Sequence, residues 1–324
     1  MFVVCSICLF YILKGENMKK LLVILLALSM TFGLAACGEK PAKEPENVPE
    51  TPSLQISLDD WPIVDGATAC LPFYENMAAK LLGVDVEEAR QYVMCNTTTQ
   101  AFIEMAEGTA DLIYCLHASA DQEVNAKEHG VTMHYEPFAL DAFVFFVNKD
   151  NPVDSLTVDQ IHDIYAGKIT NWKEVGGNDE EILAYQRDEG CGSQTGLYKY
   201  VIPRDEVMDA PSEQRIADMG SIIDAVSHYD NAKSSIGYSY LYFVTNQHFD
   251  EDIKLLKVEG IEATGENIRS GSYPMVTEYC CITTEEKYQD ADSVERKIID
   301  WCVSKEGQNL AEEMSYTAAY DFED

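Results

Sequence analysis

The chain has 324 residues, too many for one small core, so we expect one large or two medium-sized domains. Its composition, 46% hydrophobic and 10% aromatic, is ordinary for a globular protein. A net charge of −33 argues against binding nucleic acid or anionic membranes through a broad electrostatic surface. A buried anion could still be held by local dipoles and one cation, because a distant acidic surface is screened.

The first segment has the pattern of an export signal. Met18 is followed by two lysines, the run Leu21–Gly33 is apolar, and Cys37 follows small residues as in a bacterial lipoprotein cleavage box. The apolar run is too short for a comfortable transmembrane helix. We therefore predict a leader over residues 1–37 with its true start at Met18. Lipidation of Cys37 would anchor the protein on the extracytoplasmic face of the cell membrane; an ordinary secretory signal is the alternative.

The spacing of the cysteines does not indicate a disulfide framework. Of ten cysteines, three lie at or before Cys37, and the remaining seven are irregularly spaced. An odd number, several of them inside apolar segments, is a poor basis for disulfides, and outside the leader no Cys/His spacing is typical of zinc. We expect free thiols, no metal and no cofactor. For Cys280 and Cys281, buried thiols are favoured over a vicinal disulfide, although the sequence leaves their oxidation state open.

After a Pro-, Glu- and Lys-rich stretch over residues 38–53, which predicts a disordered tether, strand and helix signals alternate. This alternation predicts an α/β fold. The predicted strands are Ile63–Gly66, Tyr92–Cys95, Ala110–Leu116, Ala142–Val147, Ile182–Tyr185, Ser235–Ser239, Ile253–Val258 and Tyr279–Thr283. The predicted helices are near Leu71–Leu82, Gln100–Glu107, Thr157–Tyr165, Ser193–Val201 and Val294–Val303.

Three strand–turn–helix units place a hydroxyl residue at a helix start, namely Thr68, Thr98 and Ser193. Each could be a simple N-cap, since Ser and Thr are favoured there. Ligands in open α/β sheets, however, bind where strand ends meet helix starts. The third unit contains Arg187–Thr195, in which a cation precedes a glycine-rich turn. Such a turn can aim backbone N–H groups at one point beside a guanidinium, which suits a tetrahedral oxyanion; a plain surface turn is the alternative.

Four segments resemble the phosphate-specific substrate-binding proteins of bacterial ABC transporters. They are Asp141–Val153, Ile164–Gly177, Arg187–Thr195 and Ile236–Ser239, and the resemblance covers roughly residues 60–310.

The resemblance implies a two-lobed, type II periplasmic-binding-protein fold with a hinge and an interlobe ligand cleft. Lobe 1 would hold residues 54–140 with 252–324, and lobe 2 residues 141–251. The hinge crossings would fall near Phe138–Asp141 and between Tyr238 and Asp252.

The same resemblance implies the binding residues. The implied anion-binding set is Thr68 (hydroxyl), Ala69 (backbone N–H), Thr98, Arg187 (charged clamp), Cys191, Gly192 and Ser193. Glu189 would orient Arg187 through a salt bridge. Cys191 departs from the family by replacing the usual serine, a better hydroxyl donor. The acid that accepts the proton of hydrogen phosphate in the family falls here at Leu116, with His117 beside it. His117 is either a substitute partner for the anion or a structural loop residue.

The sequence thus predicts a monomeric solute-binding protein that captures phosphate or a related oxyanion and delivers it to an ABC permease complex without making or breaking a bond. One alternative is an anchored sensor or interaction protein that keeps the fold but not transport. A second is a cysteine hydrolase with Cys191 as nucleophile and His117 as base, although a clear third orienting residue is missing.

Overall fold

The computed structural model describes residues 54–322. The predicted leader, the lipidation site Cys37 and the tether over residues 38–53 lie outside this range. No helix within it has both the length and the apolar character needed to cross a membrane.

The described residues form eleven α-helices, most of which match sequence signals for helix starts and ends. They are α1 (Leu71–Leu82), α2 (Val86–Ala89), α3 (Thr97–Glu107), α4 (Ala120–Glu128), α5 (Val158–Tyr165), α6 (Gly192–Tyr200), α7 (Met219–His228), α8 (Gly265–Arg269), α9 (Glu285–Gln289), α10 (Val294–Cys302) and α11 (Lys305–Glu313). Helix α1 has Pro72 in its first turn and ends at Gly83, which adopts the left-handed conformation. Helix α5 begins with a capping box between Thr157 and Gln160.

Twelve strands are described, eight of them in one mixed sheet. They are β1 (Val64–Gly66), β2 (Leu112–Cys115), β3 (Met133–Asn148), β4 (Ser155–Leu156), β5 (Leu183–Ala184), β6 (Gln186–Arg187), β7 (Arg215–Ile216), β8 (Ser235–Tyr240), β9 (Ile253–Leu255), β10 (Lys257–Val258), β11 (Val276–Thr284) and β12 (Thr317–Ala318). The main sheet runs β1-β2-β11-β3-β8-β5, and β9 and β12 also pair with β3. Two small parallel pairs, β4 with β10 and β6 with β7, lie apart from it.

The long strand β3 is shared by two groups of neighbours. Its residues 133–142 pair with β11, whereas residues 143–148 pair with β8 and β9. The register with β11 skips Phe138, which makes a β-bulge there. Buried aromatic rings pack along both halves. Phe73 stacks on Phe138 with ring centroids 4.1 Å apart, while Phe143 meets Phe145 edge to face at 5.4 Å. The strand partners of β3 therefore change near Ala142.

Two predicted strands are wrong in detail. In place of the predicted strand Tyr92–Cys95, the chain has a 3₁₀ turn, Arg90–Tyr92, followed by a single bridge from Val93 to Val64. The polar residues that follow let this segment turn directly into α3, which leaves no length for a strand. The predicted strand Ile253–Val258 is split into β9 and β10, which pair with different partners.

Candidate functional site

A cavity of about 370 Å³ lies where the starts of α1, α3 and α6 meet the side chain of Arg187. We call it the helix-start cavity. Its lining residues are Ala67, Thr68, Ala69, Thr97, Thr98, Thr99, Leu116, Arg187, Asp188, Glu189, Cys191, Gly192, Ser193, Ala217, Asp218, Met219, Tyr240 and Tyr279. The seven residues predicted to bind the anion are all among them. That they bind an anion stays a prediction.

Three of the helix starts at this cavity differ from the others in the described chain. Eight α-helices, α2, α4, α5 and α7 to α11, begin with a side chain that accepts a hydrogen bond from the first turn. Three of the four that start at the cavity, α1, α3 and α6, have no such cap, whereas the fourth, α7, is capped by Asp218. The first backbone N–H groups of a helix have no partner within it. These three helix starts therefore keep donors, and the positive ends of their dipoles, available to a ligand.

The three predicted hydroxyl residues are not caps. The N-cap positions of α3 and α6 are Asn96 and Cys191, and the 3₁₀ turn that leads into α1 begins after Ala67. The alternative interpretation of Thr68, Thr98 and Ser193 as simple N-caps is therefore wrong, because each lies one or two residues inside the helical segment. Their hydroxyls remain available to a molecule in the cavity.

The start of α3 is also strained. Thr97 has a φ of 72°, in the left-handed region that a β-branched residue rarely adopts. Backbone strain of this kind costs about 1–3 kcal/mol and clusters at binding sites. Thr97 lines the cavity, so the strain lies at the site itself.

Arg187 is buried, with 4% of its surface exposed. Its Nε donates to the Ile216 carbonyl at 2.9 Å and its Nη2 to the Ala217 carbonyl at 2.9 Å. Its Nη1 donates to the Ser193 hydroxyl at 3.2 Å. A guanidinium has five N–H donors, so two are left over. Among the described residues no carboxylate lies within 4.0 Å of it. A buried cation with no carboxylate in direct contact is costly, which favours an anion in the adjoining cavity.

The predicted salt bridge from Glu189 to Arg187 is wrong. Glu189 instead accepts a hydrogen bond from the Tyr198 hydroxyl at 2.6 Å and lies 3.3 Å from Nε of Arg204. The guanidinium of Arg187 turns the other way, toward the carbonyls of Ile216 and Ala217 at the end of β7, the parallel neighbour of β6. Glu189 lines the cavity from its exposed side.

His117 does not line the helix-start cavity. It lines a separate cavity of about 450 Å³, and its Nε2 lies 3.4 Å from Oε2 of Glu278 and 3.7 Å from Sγ of Cys280. Sγ of Cys191 contacts the Ser193 hydroxyl at 3.7 Å. The nucleophile–base pair required by the hydrolase alternative is therefore not formed.

One further lining residue, Asp218, was not singled out in the sequence. Leu116, where the family's acid would fall, presents an apolar side chain to the cavity. Asp218 supplies a carboxylate instead, and it also caps α7 by accepting from the Ser221 N–H at 2.8 Å. Hydrogen bonding from Ser221 keeps the pKa of Asp218 below its ordinary value, and the nearby charge of Arg187 acts in the same direction. The one signal for Asp218 was its N-cap position before an apolar run.

Comparison with known proteins gives consistent relatives. A family model described as "PBP superfamily domain" matches residues 64–306. The phosphate-binding protein PstS of Bacillus subtilis is 23% identical over 261 residues, which cover 79% of this chain and 81% of that protein. PstS of Staphylococcus epidermidis strain RP62A is 27% identical over 264 residues, covering 79% and 78%. PstS of Borreliella burgdorferi is 26% identical over 183 residues, so the match spans 55% of this chain and 63% of that relative.

Solved structures agree on the fold. A protein from Clostridium perfringens solved with bound phosphate has a TM-score of 0.63 and 25% identity, covering 80% of this chain and 99% of its own. An ABC-type phosphate transport receptor from Vibrio cholerae has a TM-score of 0.60 and 23% identity, covering 79% and 98%. The predicted α/β class of substrate-binding fold is confirmed.

Proposed function

Since the chain belongs to the PBP superfamily, we propose that it is an extracytoplasmic solute-binding lipoprotein that captures phosphate, or a related tetrahedral oxyanion, for an ABC importer. The observation that carries the proposal is Arg187, a buried cation with two spare donors and no carboxylate partner among the described residues, beside uncapped helix starts. The PstS relatives and the phosphate-bound neighbour support the choice of ligand.

Binding follows from the lining groups. The starts of α1 and α3 offer backbone N–H groups with the Thr68 and Thr98 hydroxyls from one side. The start of α6, with Arg187 and Ser193, offers donors from the other. These donors come from segments joined to the two halves of β3, so closure of two lobes would surround the anion and exclude water. Capture requires no bond to be made or broken, and no cofactor.

The lobe boundary is best placed slightly later than the sequence predicted. Strand β9 pairs with residues 146–148 of β3, and β10 pairs with β4. Residues 253–258 thus join the neighbours of the carboxyl-terminal half of β3. We place lobe 2 at about residues 142–258 and lobe 1 in the remaining described residues. The protein would act as a monomer that meets its permease on the membrane, held there through Cys37.

Asp218 gives the site a way to distinguish anions without the family's usual acid. The lowered pKa of Asp218 leaves its carboxylate ionised, so it can accept a hydrogen bond from the O–H group of hydrogen phosphate. Sulfate carries no proton, so the same carboxylate repels it. In Asp218→Asn, which keeps a good N-cap, sulfate affinity is expected to rise about tenfold or more relative to phosphate affinity. Competition of sulfate against bound phosphate measures this ratio. An unchanged ratio would assign the discrimination to another group.

The thiol of Cys191 stands where a hydroxyl would donate more strongly. In Cys191→Ser the Kd for phosphate is expected to stay equal or fall by up to about fivefold, because an ordinary hydrogen bond contributes about 1 kcal/mol. Serine is also a favoured N-cap for α6. Isothermal titration gives the Kd, and a large loss of affinity would mean that the thiol itself has a role in binding.

The function is tested by isothermal titration of the full chain with phosphate, sulfate, arsenate and molybdate at two pH values. Tight phosphate binding with sulfate excluded is the expected result. Absence of binding to all four anions would overturn the proposal. Salt dependence is a useful second readout, since an anion held by local dipoles and a buried cation should show little of it.

A further inference from the structure

We propose that His117, Glu278 and Cys280 form a binding site for a divalent metal ion, best suited to Zn²⁺. The three side chains lie outside the helix-start cavity, and the capture of an anion does not use them. Imidazole nitrogen, carboxylate oxygen and thiolate sulfur are the three protein ligand types that zinc accepts.

The sheet brings these residues together from distant parts of the sequence. Strands β2 and β11 are antiparallel, with Cys115 opposite Cys280. His117 lies two residues after Cys115 and Glu278 two residues before Cys280, so the same register brings His117 opposite Glu278. Because side chains alternate along a strand, Glu278 and Cys280 share one face of β11, while Tyr279 between them faces the helix-start cavity.

The distances fit one ion. His117 Nε2 lies 3.4 Å from Glu278 Oε2 and 3.7 Å from Cys280 Sγ, and the three ligand atoms lie within 4.8 Å of one another. Zinc bonds of about 2.0–2.3 Å in a tetrahedral arrangement separate ligand atoms by about 3.3–3.6 Å. Small side-chain adjustments therefore suffice. Three protein ligands leave the fourth position for water or another small ligand, as in open zinc sites.

The surroundings support a cation at this point. The ring of Tyr135 stacks on His117 at 4.7 Å between centroids, which holds the imidazole plane in place. Glu278 and Glu136 bring negative charge near the Cys280 sulfur, against a smaller opposite effect of Lys199. A bound metal ion displaces the thiol proton, which leaves to solvent as the metal–sulfur bond forms.

Access is open on one side. The His117 and Glu278 side chains are 43% and 45% exposed, while Cys280 is buried beneath them. A metal ion can therefore reach the imidazole and carboxylate from water before it engages the sulfur. A second cluster, Asp224, His228 and Asp250, also has metal-like spacing but contains no sulfur. The presence of a thiolate ligand thus distinguishes the proposed site from that one.

The test is a titration of the full, metal-free chain with Zn²⁺ alone, followed by Co²⁺ as a spectroscopic probe. We expect one Zn²⁺ to bind and to compete with Co²⁺ for the same site. The Co²⁺ form should show a near-ultraviolet thiolate-to-metal charge-transfer band. Absence of Zn²⁺ binding, or a Co²⁺ spectrum without that band, would overturn the proposal.

Variants locate the site. Cys280→Ala should abolish the charge-transfer band, and His117→Asn, a half-exposed position with little risk to folding, should weaken Zn²⁺ binding by at least about tenfold. The matched controls are Cys281→Ala, the next residue of β11 on its other face, and His228→Asn in the sulfur-free cluster. Both controls should keep the band and the affinity. Loss of the band in either control, or its retention in Cys280→Ala, would refute the assignment.

Discussion

Replacing Arg187 by alanine is expected to raise the Kd for phosphate by about 10²- to 10⁴-fold. Removing one member of a buried, hydrogen-bonded charge pair costs about 3–5 kcal/mol, because the remaining charge is left uncompensated. In the complex that remaining charge would be the anion, in a cavity whose other donors are neutral hydroxyls and backbone amides. Isothermal titration of phosphate into wild type and variant measures the change.

The variant must be shown to fold, because Arg187 also holds the carbonyls of Ile216 and Ala217. Thermal unfolding supplies that check. Arg187→Lys keeps the charge but loses the planar fork, so an intermediate Kd is expected. Arg204→Ala is the matched control, since Arg204 pairs with Asp121 and Glu189 on the surface and should leave phosphate binding nearly unchanged. A folded Arg187→Ala protein that binds phosphate like wild type would show that the anion lies elsewhere.

The helices that were predicted had bounds set by local signals. The bounds of α1 follow from Pro72 in its first turn and Gly83 just after its end. Helix α10, predicted at Val294–Val303, ends at Cys302 and is capped by Ser293. These signals lie within a few residues of the element they define, so a single sequence contains them. The strand predicted at Tyr92–Cys95 does not form, because a strand needs a neighbouring strand to pair with. In this segment only Val93 pairs, through a single bridge to Val64.

The candidate site also contains features that the sequence could predict and features that it could not. The turn from Arg187 to Ser193 could be located because cation, glycines and hydroxyl are consecutive in sequence. The partners of the guanidinium could not, since Ile216 and Ala217 arrive through the β6–β7 pairing about 30 residues later. The family resemblance implied that Glu189 would pair with Arg187, but in the structure Glu189 pairs with Arg204.

The proposed metal site had the weakest local signal in the sequence. Zinc motifs are recognised by short, regular spacing, and His117 lies 161 residues from Glu278. The juxtaposition exists because β2 and β11 are adjacent in the sheet although eight strands separate them along the chain. Long-range sheet pairing of this kind leaves no periodicity in the sequence.

A second large effect is expected at Asp141, which is fully buried in β3. Its carboxylate accepts hydrogen bonds from the N–H groups of Ala142 and Tyr242 at 2.7 and 3.1 Å, and from the Tyr279 hydroxyl at 2.6 Å. Burial nevertheless raises its pKa from 3.8 to about 7. The folded protein therefore holds a proton that the unfolded chain releases. Its contribution to stability is complete below about pH 4 and is lost as the pH rises through 7.

Between pH 5 and pH 8 this titration should lower the free energy of unfolding by about 2–3 kcal/mol relative to Asp141→Asn, which does not titrate. Urea unfolding of both proteins across this range measures the difference, so that other titrating groups cancel. Asp154→Asn is the control, because Asp154 is exposed and pairing with Lys254 lowers its pKa, which predicts no loss over this window. Parallel stability curves for wild type and Asp141→Asn would mean that the carboxylate is ionised in the folded protein. The stabilisation of the carboxylate by its three donors would then exceed the cost of its burial. At the point where β3 changes partner from β11 to β8, the folded protein would contain an ionised Asp141 and not a protonated one.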